Sequence, residues 1–271
     1  MDGAQLGIQP IQEAVKQANI ECDAIELAVP NQADHTELIA QVCNEVAEEM
    51  MKCYETDQFP IVVGGDHALG IGSVAAASTR KNVGILWFDA HGDINTPETT
   101  PSFHIHGMPL AISLGNGYPA LVNCLDERVK IKNEQIVYLG TRDLDAGEQA
   151  YIEQNKISII TTAAIKEQGL ESILHQLDGY LSAYDCVHVS LDLDVMDPMQ
   201  FPSVNLGVSD GISKEDVFTV LHHLFTHHTI CSCDVVEYNP LHDKNQDVKT
   251  VAALLSLMTE YAQKKEQLQV G

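Results

Sequence analysis

Three short segments of this chain carry side chains that bind divalent cations. Asp89, His91 and Asp93 form a D-x-H-x-D run, Asp192 and Asp194 a D-x-D pair, and His67 closes a Gly-Gly-Asp-His stretch. A D-x-D pair is uninformative alone: with 20 Asp in the chain, chance supplies roughly 1.5 of them, and two occur, at 143/145 and 192/194. The D-x-H-x-D run is different, because the same arithmetic expects only about 0.06 per chain. Carboxylate oxygens and imidazole nitrogens are ligands for hard or borderline divalent ions. If the segments converge, two imidazoles and four carboxylates share one cleft. Four carboxylates without a cation repel one another strongly, and two divalent ions resolve that repulsion. Oxygen-rich ligation with one imidazole per metal suits Mn2+ better than a Cys-rich zinc site. Two such ions about 3.5 to 4 Å apart can hold a bridging water as hydroxide and present it to an electrophilic carbon, which is hydrolysis. Glu237 adds a carboxylate suited to a cationic substrate rather than to metal. The competing reading makes these Asp residues helix caps at loop ends and His67 a hydrogen-bonded residue at a helix start.

Such residues need a scaffold. Runs rich in β-branched residues predict strands over 20–29, 60–63, 83–88, 135–139, 157–161, 186–191 and 230–236. Helical periodicity predicts helices over 37–54, 69–79, 170–183, 213–224 and 248–263. The fourth opens with a Ser-x-x-Asp start signal at Ser213. This alternation predicts an α/β fold, helices on both faces of a mostly parallel sheet, because parallel neighbours need crossover connections. Ligands in such sheets bind beyond the carboxyl ends of the strands, where the Asp- and His-bearing segments and the Val-Glu-Tyr-Asn-Pro at 236–240 fall. No repeat, linker or composition shift divides residues 1–271, so one domain is expected.

Composition narrows the partners. The formal net charge is −24, with 39 acidic against 15 basic side chains, which disfavours nucleic acid and anionic membrane surfaces and favours a small cationic substrate. The seven cysteines are scattered without a C-x-x-C pair, arguing against a disulfide framework or a zinc ribbon. No secretory signal follows Met1 and no apolar run nears a membrane span, so a cytoplasmic protein is expected.

The chain resembles the ureohydrolases, and arginases among them, through GGDH at 64–67, DAHGDINTPETTPS at 89–102, HGMP at 106–109, GTRDLDAGE at 140–148, SLDLDVMDP at 190–198 and VEYNP at 236–240. The resemblance implies a three-layer α/β/α fold assembled as homo-oligomers, trimers or hexamers. It implies two Mn2+, one held by His67, Asp89, Asp93 and Asp192, the other by His91, Asp89, Asp192 and Asp194. It implies that Glu237 pairs with the guanidinium of L-arginine under attack by a metal-bridging hydroxide, giving urea and L-ornithine. Asp93 would pass the proton to the departing amine, and His106 would shuttle protons at the cleft mouth. Asn95, Thr100 and Ser102 would bind the α-carboxylate, and Asp145 and Glu148 the α-amino group.

Three departures from the arginase pattern stand out. Ser102, Phe103 and His104 stand where arginases read Ser-Gly-Asn before Ile-His-Gly, and Asn205, Leu206 and Gly207 replace a Gly-Thr-Pro stretch at the guanidinium end. The strand that opens the family fold also looks missing, which would leave its neighbour as an exposed edge. These leave room for a related enzyme of agmatinase or formimidoylglutamase type, or for a family member without catalysis.

Overall fold

The computed structural model describes residues 3–27 and 35–270, without side chains for 266–270. Six strands form one sheet: β1 (Ile61–Val63), β2 (Val83–Phe88), β3 (Ile136–Thr141), β4 (Ser158–Thr161), β5 (Cys186–Asp192) and β6 (Ile230–Val236). Their order is β1-β6-β5-β2-β3-β4, and every pairing is parallel. Among the described residues ten α-helices surround them: α1 (Ile8–Gln17), α2 (His35–Glu55), α3 (Gly70–Ala77), α4 (Pro109–Ser113), α5 (Pro119–Val122), α6 (Ala146–Asn155), α7 (Thr162–Gln168), α8 (Leu170–Leu181), α9 (Lys214–His227) and α10 (Val248–Val270).

The central strands are buried at every position because both sheet faces are covered. In β2, Leu86 and Phe88 pack into the core shared with α7 to α10, while Ile85 and Trp87 pack against residues of α3, α4 and α6. Helix α2 lies outside α3, with Cys43, Val46, Ala47 and Met50 against Ile71, Ala75 and Ala76. The result is the three-layer α/β/α arrangement expected from the pattern of elements. Helix α9 starts as predicted, Ser213 Oγ accepting the Asp216 amide at 3.0 Å.

The strand expected over 20–29 does not form within the described residues. Residues 20–27 form no regular secondary structure and pair with no strand, with Glu21, Asp23 and Glu26 exposed, and 28–29 lie outside the described residues. A strand is stabilised by a neighbour, and β1 is bonded on one side only, to β6. Among the described residues no strand precedes α1, so the three-residue β1 is the sheet's edge. No described helix is long and apolar enough to cross a membrane.

Two features of this topology position the site. After β2 the chain moves to β3 on one side, and after β5 it moves to β6 on the other, so the loops leaving these adjacent strands part and open a crevice. The register pairs Phe88 with Leu191, which sets Asp89 and Asp192 abreast at the mouth of that crevice. Asp192 pairs in turn with Val236, bringing Glu237 alongside.

Candidate metal centre and substrate pocket

His67 opens the short turn after β1, where Asp66 Oδ1 accepts the Ala68 amide at 3.1 Å. Its Nε2 lies 2.9 Å from Ser190 Oγ, and Ser190 donates its proton to Asp234 Oδ1 at 2.7 Å. With that proton committed, Ser190 accepts from Nε2–H, and the free lone pair of His67 sits on Nδ1. Around Nδ1 stand Asp89 Oδ2 at 2.9 Å, Asp93 Oδ2 at 3.1 Å and Asp192 Oδ2 at 3.1 Å. Although fully buried, Nδ1 makes no hydrogen bond with any of them. Four electron-rich atoms facing one point without hydrogen bonds between them are the donor set of a cation.

The second group shares Asp89. His91 Nδ1 is 2.9 Å from Asp194 Oδ2 and 3.4 Å from Asp89 Oδ1, so Asp89 turns one oxygen to each imidazole. Backbone amides fix the carboxylates: His91 N donates to Asp89 Oδ1 at 2.7 Å, Asp194 N to Asp192 Oδ1 at 2.7 Å, and Ala90 N to Asp194 Oδ1 at 3.1 Å. Five of the residues form two overlapping His/Asp clusters, His67/Asp89/Asp93 and Asp89/His91/Asp194, and Asp192 stands beside the first, 3.1 Å from His67 Nδ1. The donor set fits divalent ions, which His67, Asp89, Asp93 and Asp192 would hold on one side and His91, Asp89 and Asp194 on the other.

Electrostatics describe the same need. Burial resists charge on His67, yet Asp192, Asp89 and Asp93 hold it well above the ordinary imidazole range. His91 is likewise raised by Asp194 and Asp89 against the burial that opposes them. Burial and carboxylate neighbours push Asp93, Asp192 and Asp194 up. Left to its own charges the cluster retains protons, and a cation displaces them.

Several side chains that sequence reasoning did not single out hold these ligands. The Trp87 ring stacks on His67 at 4.0 Å and 4°, and its Nε1 donates to Asp89 Oδ2 at 3.0 Å. Gly70 permits this, since a Cβ there would meet the indole at 2.8 Å. Behind Ser190, the wholly buried Asp234 also accepts from Ser73 Oγ at 2.5 Å and pairs with His188 Nε2 at 3.1 Å, while His188 Nδ1 contacts Ser232 Oγ at 2.8 Å. His188 holds the Asp234 carboxyl below its usual range although burial pushes it up. The signal for these was alternation: His188, Ser190 and Asp192 on β5, and Ser232 and Asp234 on β6, are polar positions at period two within apolar strands.

One pocket opens above the clusters, lined by His91, Asp93, Asp192 and Asp194 together with Asn95, Thr100, Ser102, His106, Asp145, Glu148 and Glu237. Asp89 and His67 are buried beneath it. Glu237 is held in the left-handed region (φ 67°). Its Oε1 accepts the His67 amide at 3.0 Å, and burial, then Asp66 and Asp194, push its carboxyl up to about 8. Asn205 Nδ2 lies 3.4 Å from Glu237 Oε2 and is oriented by Asn239, which donates to Asn205 Oδ1 at 2.7 Å. The hydroxyl missing from this loop is thus replaced by an amide.

His106 Nδ1 stands 4.0 Å from Glu237 Oε1, its Nε2 is buried without a partner, and burial lowers its pKa to about 4. At the far end Asn95 donates to Asp145 Oδ2 at 2.8 Å, and Thr100 Oγ1 accepts the Phe103 amide at 3.0 Å, shaping the turn that presents Ser102. Phe103 sits on that turn with φ 61° and is 68% exposed, so it flanks the opening rather than filling the pocket. Glu148 ties the site to α6: its Oε2 accepts the Asp145 amide at 3.0 Å and its Oε1 the Ile94 amide at 3.1 Å, with burial raising it to about 7. Gly92 leaves the room, since a Cβ there would sit 2.9 Å from that carboxyl group.

A parallel α/β/α sheet carrying a two-centre carboxylate–imidazole cluster at its switch point defines a hydrolase of the metal-dependent kind. Comparison with known proteins makes the class specific. Residues 2–262 match the Arginase family. Arginase of Bacillus subtilis (strain 168) is 42% identical over 213 residues, 78% of this chain and 72% of that one. Arginase of Bacillus caldovelox is 37% identical over 80% of this chain and 73% of its own. A crystal structure of the Bacillus subtilis enzyme superposes with TM-score 0.87, covering 96% of this chain and 95% of that one at 36% identity. The arginase of Entamoeba histolytica, solved with L-ornithine, gives 0.87 at 29% identity, covering 96% and 92%. The chain belongs to the arginase family, and it is an arginase-type hydrolase of carbon–nitrogen bonds in linear amidines.

Proposed function

We propose that the protein hydrolyses the guanidinium group of L-arginine to urea and L-ornithine with two Mn2+ per subunit. The observation that carries this reading is the pocket itself. Glu237, whose carboxylate accepts the amide of His67 in the metal cluster, and the polar side chains of Asn95, Thr100, Ser102 and Asp145 line the same pocket. A substrate with a cation at one end and an amino acid at the other matches both. The metal pair, when bound, supplies a water acidified toward neutral pH. Guanidinium is a resonance-stabilised cation and a poor electrophile, so Glu237 holds its carbon over that centre and offsets its charge. Asp93, turned inward by its left-handed backbone (φ 50°), transfers the proton to the departing amine. His106, neutral at physiological pH, accepts protons and returns them to solvent at the pocket mouth. Asn95, Thr100 and Ser102 receive the α-carboxylate. Asp145 receives the α-amino group, and Glu148 fixes Asp145 and the 93–95 loop through two backbone amides. The same reading takes the chain as one catalytic domain of a cytoplasmic homo-oligomer, trimer or hexamer.

Urea release from L-arginine and agmatine, and formamide release from formiminoglutamate, after Mn2+ loading test this. L-arginine should exceed agmatine on the order of a hundredfold in kcat/KM, because each buried polar group left unpaired costs about 1 to 3 kcal/mol. Equal rates on the two would transfer the assignment to another ureohydrolase reaction.

A further inference from the structure

A second set of metal-binding side chains lies away from the catalytic crevice. Asp178 on α8 faces His223 on α9 and His228 immediately beyond that helix. His223 Nε2 and His228 Nε2 each lie 2.8 Å from the same atom, Asp178 Oδ1. The three ligand atoms fall within 4.8 Å of one another. The imidazoles are largely enclosed, 19% and 11% exposed, and the carboxylate is 35% exposed, so the rings are packed in place while one side of the cluster meets solvent. The His227 ring packs against His223 with centroids 4.4 Å apart, which further restricts it.

The topology separates this cluster from the catalytic centre. In a parallel sheet, helices run back from the carboxyl ends of the strands to their amino ends. The last turn of α8 and the end of α9 therefore sit where β5 and β6 begin, six residues before Asp192 and seven before Glu237. At about 3.3 Å per residue that is roughly 20 Å from the substrate pocket.

The chemistry also differs. Two imidazole nitrogens and one carboxylate oxygen, with the remaining positions left to water, suit a borderline transition ion, whereas the catalytic centre is dominated by carboxylates. Directing two ring nitrogens at one carboxylate oxygen, rather than one at each, gathers three ligand atoms about a single point.

We propose that Asp178, His223 and His228 form a second metal site, selective for Zn2+ or a similar late transition ion over Mn2+. Bound there, the ion links α8 to the α9–β6 junction and stabilises the fold without entering catalysis.

The test uses the full-length protein saturated with Mn2+, then titrated with Zn2+ while bound Mn2+ is counted by elemental analysis. The expected result is one further equivalent of Zn2+ with the Mn2+ content unchanged and a rise in melting temperature. His223→Gln and His228→Gln should each weaken that equivalent at least tenfold and abolish the rise, while keeping the Mn2+ content and hydrolytic activity of the parent. If the parent takes up no further Zn2+, the cluster is only an aspartate shared by two imidazoles and the proposal fails. It fails equally if the extra equivalent persists in both variants, which would place the ion elsewhere. Loss of hydrolysis on Mn2+ loading would overturn the proposed reaction and leave this site untouched.

Discussion

At the scale of single residues, the site divides into groups that face the substrate and groups that hold other groups. Glu237 belongs to the first: its carboxylate lines the pocket, and its contacts are to the His67 amide and to Asn205. Glu237→Gln keeps volume and hydrogen bonding but removes the charge that a guanidinium needs. It should retain both ions and the melting temperature while losing about 2 to 4 kcal/mol of transition-state stabilisation, a roughly 30- to 1000-fold fall in kcat/KM. Loss of metal instead would put Glu237 among the ligands. Asp234 belongs to the second group, since it touches no pocket atom and acts through Ser190 on the tautomer of His67. In Asp234→Asn an amide N–H confronts donors from Ser73 or His188. Metal affinity should fall about 10- to 100-fold, with KM for substrate changed far less once metal is saturating. Competition with a chelator measures the first quantity and steady-state kinetics the second. Unaltered metal affinity would mean that the network serves folding alone.

At the scale of elements, helix starts act as fixtures for the site or for the fold. Helix α6 begins at Asp145 with Glu148 reaching back to the Asp145 amide, so a capping interaction and the rim of the pocket are built from the same two residues. Helix α9 starts at Ser213 with an ordinary cap and no pocket residue. The two starts therefore respond differently to mutation. Ser213→Ala should cost about 1 kcal/mol in denaturant unfolding and leave kcat/KM and metal content at parent values. A drop in activity there would tie α9 to the pocket. The α6 start cannot be altered without disturbing the 93–95 loop, because Glu148 also accepts the Ile94 amide.

At the scale of the whole molecule, stability and metal content are coupled through protons. In the metal-free protein burial raises Glu148 to about 7 and Glu237 to about 8, above the ordinary carboxylate range, and raises Asp93, Asp192 and Asp194 as well. A carboxyl whose folded pKa exceeds its unfolded one stabilises fully below the unfolded value and loses that stability as pH rises through the folded value. The chelated protein should therefore melt at progressively lower temperature from pH 5 to pH 8. Saturating Mn2+ should reverse the slope, because the ions bind the deprotonated ligands and metal affinity rises with pH. At a hundredfold excess over its dissociation constant an ion adds about 2.7 kcal/mol. Parallel melting curves with and without metal would show that the ions do not bind at this cluster.

Residue type, spacing and placement after apolar runs were enough to locate His67, Asp89, His91, Asp93, Asp192, Asp194 and Glu237. A strand end exposes the next few side chains in a fixed alternation, and that alternation is local. The order of strands is not local, and it places Asp89 beside Asp192: β2 and β5 are neighbours although some hundred residues separate them. The same holds for the supporting groups. Trp87 and Ser190 read as ordinary strand residues until stacking and register place them on His67, and Asn205 had no motif until Asn239 turned it toward Glu237. The segment over 20–29 shows the opposite limit. Its β-branched residues favour extension, but a strand needs a partner's hydrogen bonds, which local preference does not supply, and residues 20–27 form no regular secondary structure. Sequence thus determined which groups stand ready at each strand end, and tertiary structure decided which of them cluster, because clustering depends on distances between segments remote along the chain.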